Sequence, residues 1–151
     1  TIEAVPAPQA GAMALAGYSS VTKGPESTSS SADALHAARE LALHTGAAVL
    51  VTGRTDYSTD GRQVTATENG HAMMSRVTGV GCSMGALSAA CAAVSPTPLQ
   101  AAVSTAVLMG IAGEMAFEQS PFPGSFAVSL LDSLYALSPE DVVRRARFLS
   151  L

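Results

Sequence analysis

A chain of 151 residues with 48% hydrophobic and 13% charged residues is too apolar to be disordered and long enough to bury a core. Its net charge of −4 argues against binding to nucleic acid or to an anionic membrane surface, because both require basic patches. No apolar run reaches the roughly 18–20 residues of a membrane span, so we expect no membrane segment. The two cysteines, Cys82 and Cys91, fall on opposite faces of one predicted helix and cannot bridge, which favours a reducing cytoplasm.

The start of the chain predicts an irregular part followed by one helix. Residues 1–12, rich in proline and alanine, are interpreted as a strand remnant or a loose arm. A short helix is expected at residues 12–16 and a polar loop at residues 18–31. The serines of that loop provide an N-cap for a helix over residues 32–44, where apolar residues recur at helical spacing.

The next stretch predicts a strand and a hairpin. The continuous apolar run at residues 47–52 is typical of a short buried strand in a parallel sheet. Segments 57–60 and 63–67 flank the turn formed by Asp60 and Gly61, which is a hairpin signal.

Four helices are predicted in the second half of the chain. The first three cover residues 82–94, 99–118 and 125–136, with proline-rich turns between them. The last begins near Ser138, with Pro139 in its first turn. The order of helix, strand, hairpin and helices predicts an α/β fold: the closing half of an open sheet, with a remnant of parallel sheet, a hairpin and a C-terminal helical layer.

The glycine-rich segment at residues 77–86 predicts an anion site. Gly79 and Gly81 allow the backbone to turn sharply and to approach a ligand closely. The helix that follows presents free N–H groups to that turn, and these groups and the helix dipole favour negative charge. Phosphoryl transfer uses such donors, because charge develops on the oxygens of the transferred group. The alternative is a tight turn that only packs a helix on a strand, and the spacing alone favours that alternative.

Cys82, in the first turn of the same helix, offers a second hypothesis. A cysteine hydrolase would use such a residue as its nucleophile and would need a histidine beside it. The candidates are His36, His44 and His71, and no spacing favours any of them. An N-terminal nucleophile at Thr1 is a weaker alternative.

The other polar residues predict no dedicated metal site. Three histidines and two cysteines show no metal-ligand spacing. Asp56 and Asp60 flank a turn and are interpreted as caps rather than Mg²⁺ ligands. Glu114 and Glu118 lie one helical turn apart and form either a solvated face or a pair behind the site. A solvated helix end is expected for the only basic cluster, which consists of Arg144, Arg145 and Arg147.

Several segments together resemble the hydroxyethylthiazole kinases of the ribokinase-like superfamily, and their order and spacing agree over about residues 13–136. The segments are a strand and hairpin at 49–61, a glycine-rich region at 69–82, and pieces of two closing helices at 111–114, 123–126 and 131–135. The resemblance implies a partial ribokinase-like fold. In it, residues 13–151 form the C-terminal half of a kinase domain and residues 1–12 form a divergent arm.

The resemblance also implies a reaction. Members of this family phosphorylate the hydroxyl of 4-methyl-5-(2-hydroxyethyl)thiazole from ATP with Mg²⁺ in thiamine salvage, as homotrimers with active sites between subunits. It therefore implies ATP and Mg²⁺ as cofactors and a thiazole alcohol as substrate. The implied protein partner is another copy of the chain, in a trimer, or a separate N-terminal half.

The family's motifs imply roles for particular residues. Cys82 matches the cysteine that steers or helps to deprotonate the substrate hydroxyl. The implied anion hole for the transferred phosphoryl consists of Gly79, Val80, Gly81 and Cys82. Gly79 would also border the thiazole, and Thr52 with Gly53 would contact the nucleotide.

Three departures from the family pattern bear on activity. Much of the family's first half, including most of the thiazole pocket, has no counterpart in this sequence. Pro6, Pro8 and Gly11 occupy the positions of an Arg, an Asn and a Glu that serve ATP and Mg²⁺. Val80 replaces a Thr beside the phosphates. Because phosphoryl transfer depends on positioning, the kinase is weighed against a non-catalytic remnant that oligomerises or binds an anion, and against one piece of a split enzyme.

Overall fold

The computed structural model describes residues 4–8 and 31–151, which form a five-stranded sheet with helices packed on both of its faces. The strands are β1 (Ala4–Pro8), β2 (Ala48–Thr52), β3 (Asp56–Thr59), β4 (Val64–Thr67) and β5 (Phe148–Ser150). The helices are α1 (Ser31–Thr45), α2 (Val80–Val94), α3 (Pro98–Gln119), α4 (Pro123–Ala136) and α5 (Pro139–Arg145), with a 3₁₀ helix at Ala72–Arg76. The predicted α/β fold is confirmed.

The sheet follows the order of the chain, β1-β2-β3-β4-β5. β1 and β2 run parallel, and every other neighbouring pair is antiparallel. The apolar run predicted as a buried parallel strand is β2, whose residues 48–51 are buried. Of the two interpretations of the N-terminus, the strand holds for residues 4–8. The two prolines of β1 suit its position at the edge of the described sheet, because proline cannot donate to a strand neighbour.

β3 and β4 form the predicted hairpin, and Asp60 caps its turn. The Asp60 Oδ1 accepts the N–H groups of Arg62 at 2.9 Å and Gln63 at 2.7 Å. These hydrogen bonds hold the pKa of Asp60 below its usual value. The interpretation of Asp60 as a cap is therefore confirmed.

Neighbouring residues of a strand point to opposite faces, so the sheet separates two cores. Val49 and Val51 face α1, which approaches the sheet through small buried residues: Ala34, Ala38 and Ala42. Leu50 faces α2, α3 and α4, and the larger core on that side also contains Met109 and Phe126. The helix that begins in the glycine-rich segment, α2, is therefore on the Leu50 face of the sheet.

The predicted helices are present, each within two residues of its expected bounds. α3 begins after Thr97, whose side chain accepts the Gln100 N–H, and α5 begins with a capping box between Ser138 and Asp141. Of the N-terminal expectations, the helix at 12–16 lies outside the described residues, as does the loop before α1 apart from Ser31. The 3₁₀ helix and β5 were not predicted, and the side chains of β5 are all exposed, so no apolar alternation marks it.

The expectation that no apolar run reaches the length of a membrane span was wrong for α3. This helix has 22 residues, and an 18-residue window within it has a mean hydropathy of 1.3. Length and composition alone would therefore allow α3 to cross a membrane. In the fold, 61% of that window is buried, because α3 packs against β2, β3, β4 and the neighbouring helices as a core helix does.

Two glycines of α3 let the segment after β4 approach the helix closely. A Cβ atom on Gly110 would lie 2.6 Å from the Asn69 Cβ and 2.7 Å from the Asn69 carbonyl carbon. A Cβ atom on Gly113 would overlap the Met74 sulfur. The neighbour of Gly110 is backbone, which yields less than the flexible end of a methionine. Glycine at position 110 is therefore a packing requirement.

We expect Gly110→Ala to lower the free energy of unfolding by about 1–3 kcal/mol, because the added methyl group forces the Asn69 backbone away from α3. Gly85→Ala is the matched control. Gly85 is also helical, but a Cβ there would meet nothing within 4 Å, so alanine should stabilise by up to about 1 kcal/mol. Urea unfolding of the three proteins gives both values. Equal stability of Gly110→Ala and the unchanged chain would contradict the close approach.

Candidate functional site

The glycine-rich segment forms the turn into α2. Gly79 is the N-cap residue, with φ +99° and ψ −16°, a left-handed conformation that favours glycine. The Ser83 N–H donates to the Gly79 carbonyl at 2.9 Å and closes the first helical turn. A Cβ atom on Gly79 or Gly81 would meet no described residue within 4 Å. The described part of the chain therefore leaves the space beside this turn open.

The N-terminus of α2 is without a side-chain cap among the described residues, and no acidic residue stands in its first turn. The first N–H groups of the helix therefore lack a capping acceptor, and the helix dipole adds positive potential at the same place. The alternative of a turn that only packs a helix on a strand stays open, although no described residue would contact a Cβ atom at Gly79 or Gly81.

Cys82 is the third residue of α2 and is exposed beside the glycine turn. Cys91 is buried in the same helix, and both thiols are free. The expectation that the two cysteines do not bridge is confirmed. The structure thus brings four predicted anion-hole residues into one turn, Gly79, Val80, Gly81 and Cys82.

The two predicted nucleotide contacts lie on a neighbouring part of the fold. Thr52 ends β2 and is half-buried, and Gly53 follows it and is exposed. β1 contacts both elements, because Pro8 of β1 stands opposite Thr52 and α2 packs against β1. The two parts of the predicted site are therefore on elements that share one strand as a neighbour.

A buried carboxylate holds the connection between β2 and β3. Asp56 is 8% exposed, and its Oδ1 accepts the Gly53 N–H at 2.8 Å. Burial raises the pKa of Asp56 to about 6, and the hydrogen bond from Gly53 offsets part of that rise. The interpretation of Asp56 as a cap is confirmed. Its burial was not predicted, since β3 has only four residues and gives a short pattern.

One carboxylate of α3 fixes the segment that follows β4. The Glu114 Oε1 accepts the Gly70 N–H at 2.9 Å and a hydrogen bond from the Asn69 Nδ2 at 3.2 Å. Arg147 forms an ion pair with the same carboxylate. The Asn69 side chain also accepts the Arg147 N–H at 2.8 Å and donates to the Arg145 carbonyl at 2.9 Å. Glu114 therefore joins α3, the segment leading to the glycine turn, and the C-terminal strand.

The C-terminal basic cluster is not the solvated helix end that the sequence predicted. Arg145 is 24% exposed and donates to both Glu118 carboxylate oxygens, at 2.7 and 3.1 Å. Arg144 and Arg147 are exposed, but Arg144 pairs with Asp141 on its own helix and Arg147 pairs with Glu114. The acidic partners of Arg145 and Arg147 precede them by 27 and 33 residues. Such pairs are set by tertiary packing and leave no local sequence signal.

The structure gives no support to a cysteine hydrolase. The His71 Nδ1 accepts the Met73 N–H at 3.1 Å, and the His71 ring stacks on Phe117 with centroids 3.6 Å apart. His36 and His44 lie on α1, which covers the other face of the sheet. The Thr1 alternative lies outside the described residues.

The described part of the chain holds no cage for a metal ion. Among those residues, no three histidine, cysteine, aspartate or glutamate side chains gather as ligands. Pro6 and Pro8 lie in β1, and Gly11 falls outside the described residues. A dedicated Mg²⁺ site of protein carboxylates does not fit this arrangement.

Comparisons with known proteins agree with one another. A model of the hydroxyethylthiazole kinase family matches residues 2–140. The hydroxyethylthiazole kinase of Akkermansia muciniphila is 99% identical over 139 residues, which is 92% of this chain and 51% of that protein. The hydroxyethylthiazole kinase of Granulibacter bethesdensis is 51% identical over 125 residues, which is 83% of this chain and 46% of that protein.

A solved structure of a hydroxyethylthiazole kinase protein from Pyrococcus horikoshii OT3 has the same fold over the matched part. It superposes with a TM-score of 0.85 at 33% identity and covers 99% of this chain and 55% of the other. The chain therefore spans about half the length of the relatives that it matches.

We expect Glu114→Ala to lower the free energy of unfolding by about 2–4 kcal/mol, because Gly70 and Asn69 lose their acceptor and Arg147 loses its partner. The matched control is Glu118→Ala, one turn later on α3. The Glu118 side chain is 59% exposed and accepts from Arg145 alone, so its loss should cost less than about 1 kcal/mol. Urea unfolding separates the two values, and similar losses would contradict the role assigned to Glu114.

Asp56 should give stability a pH dependence of known sign. The folded state holds the Asp56 proton more tightly than the unfolded chain does. The pKa of Asp56 is 3.8 in the unfolded chain and about 6 in the folded state. The contribution of Asp56 to stability therefore falls as pH rises from about 4 to about 6, by about 3 kcal/mol in all, and is constant above. Asp56→Asn removes this dependence. The free energy of unfolding, measured at several pH values, should rise for the variant relative to the unchanged chain across that range. A difference in this free energy that does not change with pH would contradict the raised pKa.

Proposed function

Because the chain belongs to the hydroxyethylthiazole kinase family, we propose that it transfers the γ-phosphoryl group of ATP to the hydroxyl of 4-methyl-5-(2-hydroxyethyl)thiazole, a step of thiamine salvage. The observation that carries the proposal is the open glycine turn at the uncapped N-terminus of α2. A helix N-terminus with open backbone N–H groups suits the oxygens of a phosphoryl group.

The anion hole of this proposal is the turn formed by Gly79, Val80, Gly81 and Cys82. Its backbone N–H groups hold the phosphoryl oxygens, on which charge develops during transfer. These donors are fixed by the helix, so they need no rearrangement when the reaction occurs. Gly79 also borders the thiazole, where the absence of a side chain leaves room for the ring.

Cys82 is the proposed catalytic residue, because its thiol is exposed in the same turn. It steers the substrate hydroxyl toward the γ-phosphorus and, in its thiolate form, takes up the hydroxyl proton to become a thiol as the new oxygen–phosphorus bond forms. The bond between the γ-phosphorus and the bridging oxygen breaks at the same time, and ADP leaves. Orientation and proton transfer together account for the role of the residue.

Thr52 and Gly53 are the proposed contacts to the nucleotide, at the end of β2. Mg²⁺ would enter with the ATP phosphates, because Mg²⁺ keeps several waters and needs few protein ligands when phosphates are present. The described residues form no Mg²⁺ cage, and no step is assigned to the metal.

A second candidate is a non-catalytic remnant that binds an anion or oligomerises, or one piece of a split enzyme. The observation behind it is the uncapped glycine turn of α2, which suits an anion whether or not a phosphoryl group is transferred. For either candidate we propose a cytoplasmic protein. Its proposed partner is another copy of the chain, in a trimer by analogy with the family, or a separate N-terminal half. Exposed apolar residues on one face of α4 support a protein partner: Val128, Leu131 and Tyr135.

Calorimetry with ATP–Mg²⁺ and the thiazole alcohol, followed by a coupled assay of ADP release, tests the proposal. The unchanged chain should bind and turn over. Gly81→Ala should weaken ATP binding about tenfold or more, because its methyl group projects into the open turn. Gly85→Ala, one turn further along α2, has equally open surroundings and should bind as the unchanged chain does.

Cys82→Ala tests the chemical step. We expect its turnover to fall by about 10²–10⁴-fold with ATP binding retained, because it removes the proton acceptor. Cys91→Ala is the control, since that thiol is buried in the same helix away from the turn. Heat from ATP without ADP release from the unchanged chain would favour the anion-binding remnant. Absence of heat with ATP would overturn the kinase proposal for this chain.

A further inference from the structure

The connection from β2 to β3 contains the buried carboxylate that the proposed reaction does not use. Asp56 is the first residue of β3, and Thr67 stands directly opposite it on β4. Alternation along β3 places Asp56 and Ser58 on the same face, and Ser58 stands opposite Leu50. Asp56 therefore points toward the helices of the larger core, on the side of the sheet where α2 begins.

Asp56 determines the shape of the turn that carries the proposed nucleotide contact. The Asp56 Oδ1 accepts the Gly53 N–H at 2.8 Å, which closes the turn at residues 53–56. Gly53 is exposed and has no side chain to hold its backbone in place. The anchored end of the turn is the buried carboxylate, so the order of Gly53 depends on Asp56.

Among the residues that the structure describes, no cation pairs with this carboxylate. β2 and β4 contain no charged residue, and α3 contains only Glu114 and Glu118, each paired with an arginine. Arg54, in the turn itself, is exposed. The titratable residues of α1 lie on the helix that covers the other face of the sheet: Asp33, His36, Arg39, Glu40 and His44.

The neighbours of Asp56 on its own face are neutral and leave hydrogen-bonding capacity unused. The hydroxyl groups of Ser58 and Thr67 are buried and without a hydrogen-bond partner among the described residues. A carboxylate at this position costs stability, as its raised pKa shows, and an asparagine would fit the same space. Ionisable groups kept at such a cost are concentrated at functional sites.

We propose that Asp56 is the positioning residue of the nucleotide turn: its carboxylate holds the Gly53 backbone in the shape that binds ATP. The inference rests on the proposed function, because Thr52 and Gly53 are nucleotide contacts only within it. Asp56 acts through Gly53 and does not contact the reacting atoms. A turn that adopts its binding shape in only one tenth of molecules weakens apparent affinity about tenfold.

Calorimetric titration of ATP–Mg²⁺ into the full chain tests the role. Asp56→Ala removes the acceptor and should weaken ATP binding about tenfold at pH 7.5. Asp56→Asn keeps a neutral acceptor and should show a smaller loss, of about threefold. Asp60→Asn is the matched control. It caps the other end of the hairpin, about 13 Å along β3, and should bind within about twofold of the unchanged chain.

The pH profile distinguishes positioning from a general loss of structure. The affinity advantage of the unchanged chain over Asp56→Ala should be largest above pH 7 and shrink toward pH 5, because protonation of Asp56 weakens its hydrogen bond to Gly53. Taking this ratio cancels the titration of the ATP phosphates themselves, which occurs near pH 6. Exchange of the Gly53 amide, followed by NMR in the same samples, should be fastest in Asp56→Ala.

Three results would overturn the inference, each in a different way. Equal ATP affinity of Asp56→Ala and the unchanged chain at pH 7.5 removes the positioning role and leaves nucleotide binding intact. No heat from ATP with the unchanged chain removes the proposed function, and the positioning role with it. If Asp56→Ala does not fold, the Asp56→Asn profile decides, and a ratio that does not change with pH overturns the inference.

Discussion

The carboxylate of Glu114 is the interaction on which the arrangement of the site depends. α3 is fixed in the core between the sheet and the neighbouring helices. Glu114 extends that order outward, because it accepts the Gly70 N–H on one side and pairs with Arg147 on the other. The close approach of Asn69 to Gly110 makes both contacts possible. From Gly70 the chain runs through the 3₁₀ helix to Gly79. The contact between Gly70 and Glu114 of α3 therefore places the glycine turn relative to the core.

Two features define the glycine turn: the left-handed backbone of Gly79 and the lack of a side-chain cap among the described residues. Gly79 supplies a left-handed backbone, and no side chain or acidic residue satisfies the N-terminus of α2. Such an end is unfavourable for helix stability, since a capping side chain is worth about 1 kcal/mol. Thr97 and Ser138 cap α3 and α5 in the usual way. α4 also begins without a side-chain cap and without an acidic residue in its first turn, so the absence of a cap does not by itself mark the α2 terminus as an anion site.

The sequence predicted the elements whose signals are local. Periodicity predicted the long helices, the apolar run predicted β2, and the turn at Asp60 predicted the hairpin. The prediction from sequence failed where contacts between residues far apart in the chain determine the structure. Arg145 and Arg147 were assigned to a solvated helix end, because their partners on α3 lie far away in sequence. β5 has three exposed residues and is held by pairing with β4, so no local pattern indicates it.

The candidate site follows the same division. Its glycines and Cys82 were found from sequence because one turn carries them all, whereas the burial of Asp56 required the sheet register and the helices over it. The groups that shape both proposed ligand contacts are nevertheless within this chain. Glu114 and the 3₁₀ segment place the glycine turn, and Asp56 places Gly53. In the proposed function, phosphate affinity therefore depends on two side chains whose contacts lie within the described part of this chain.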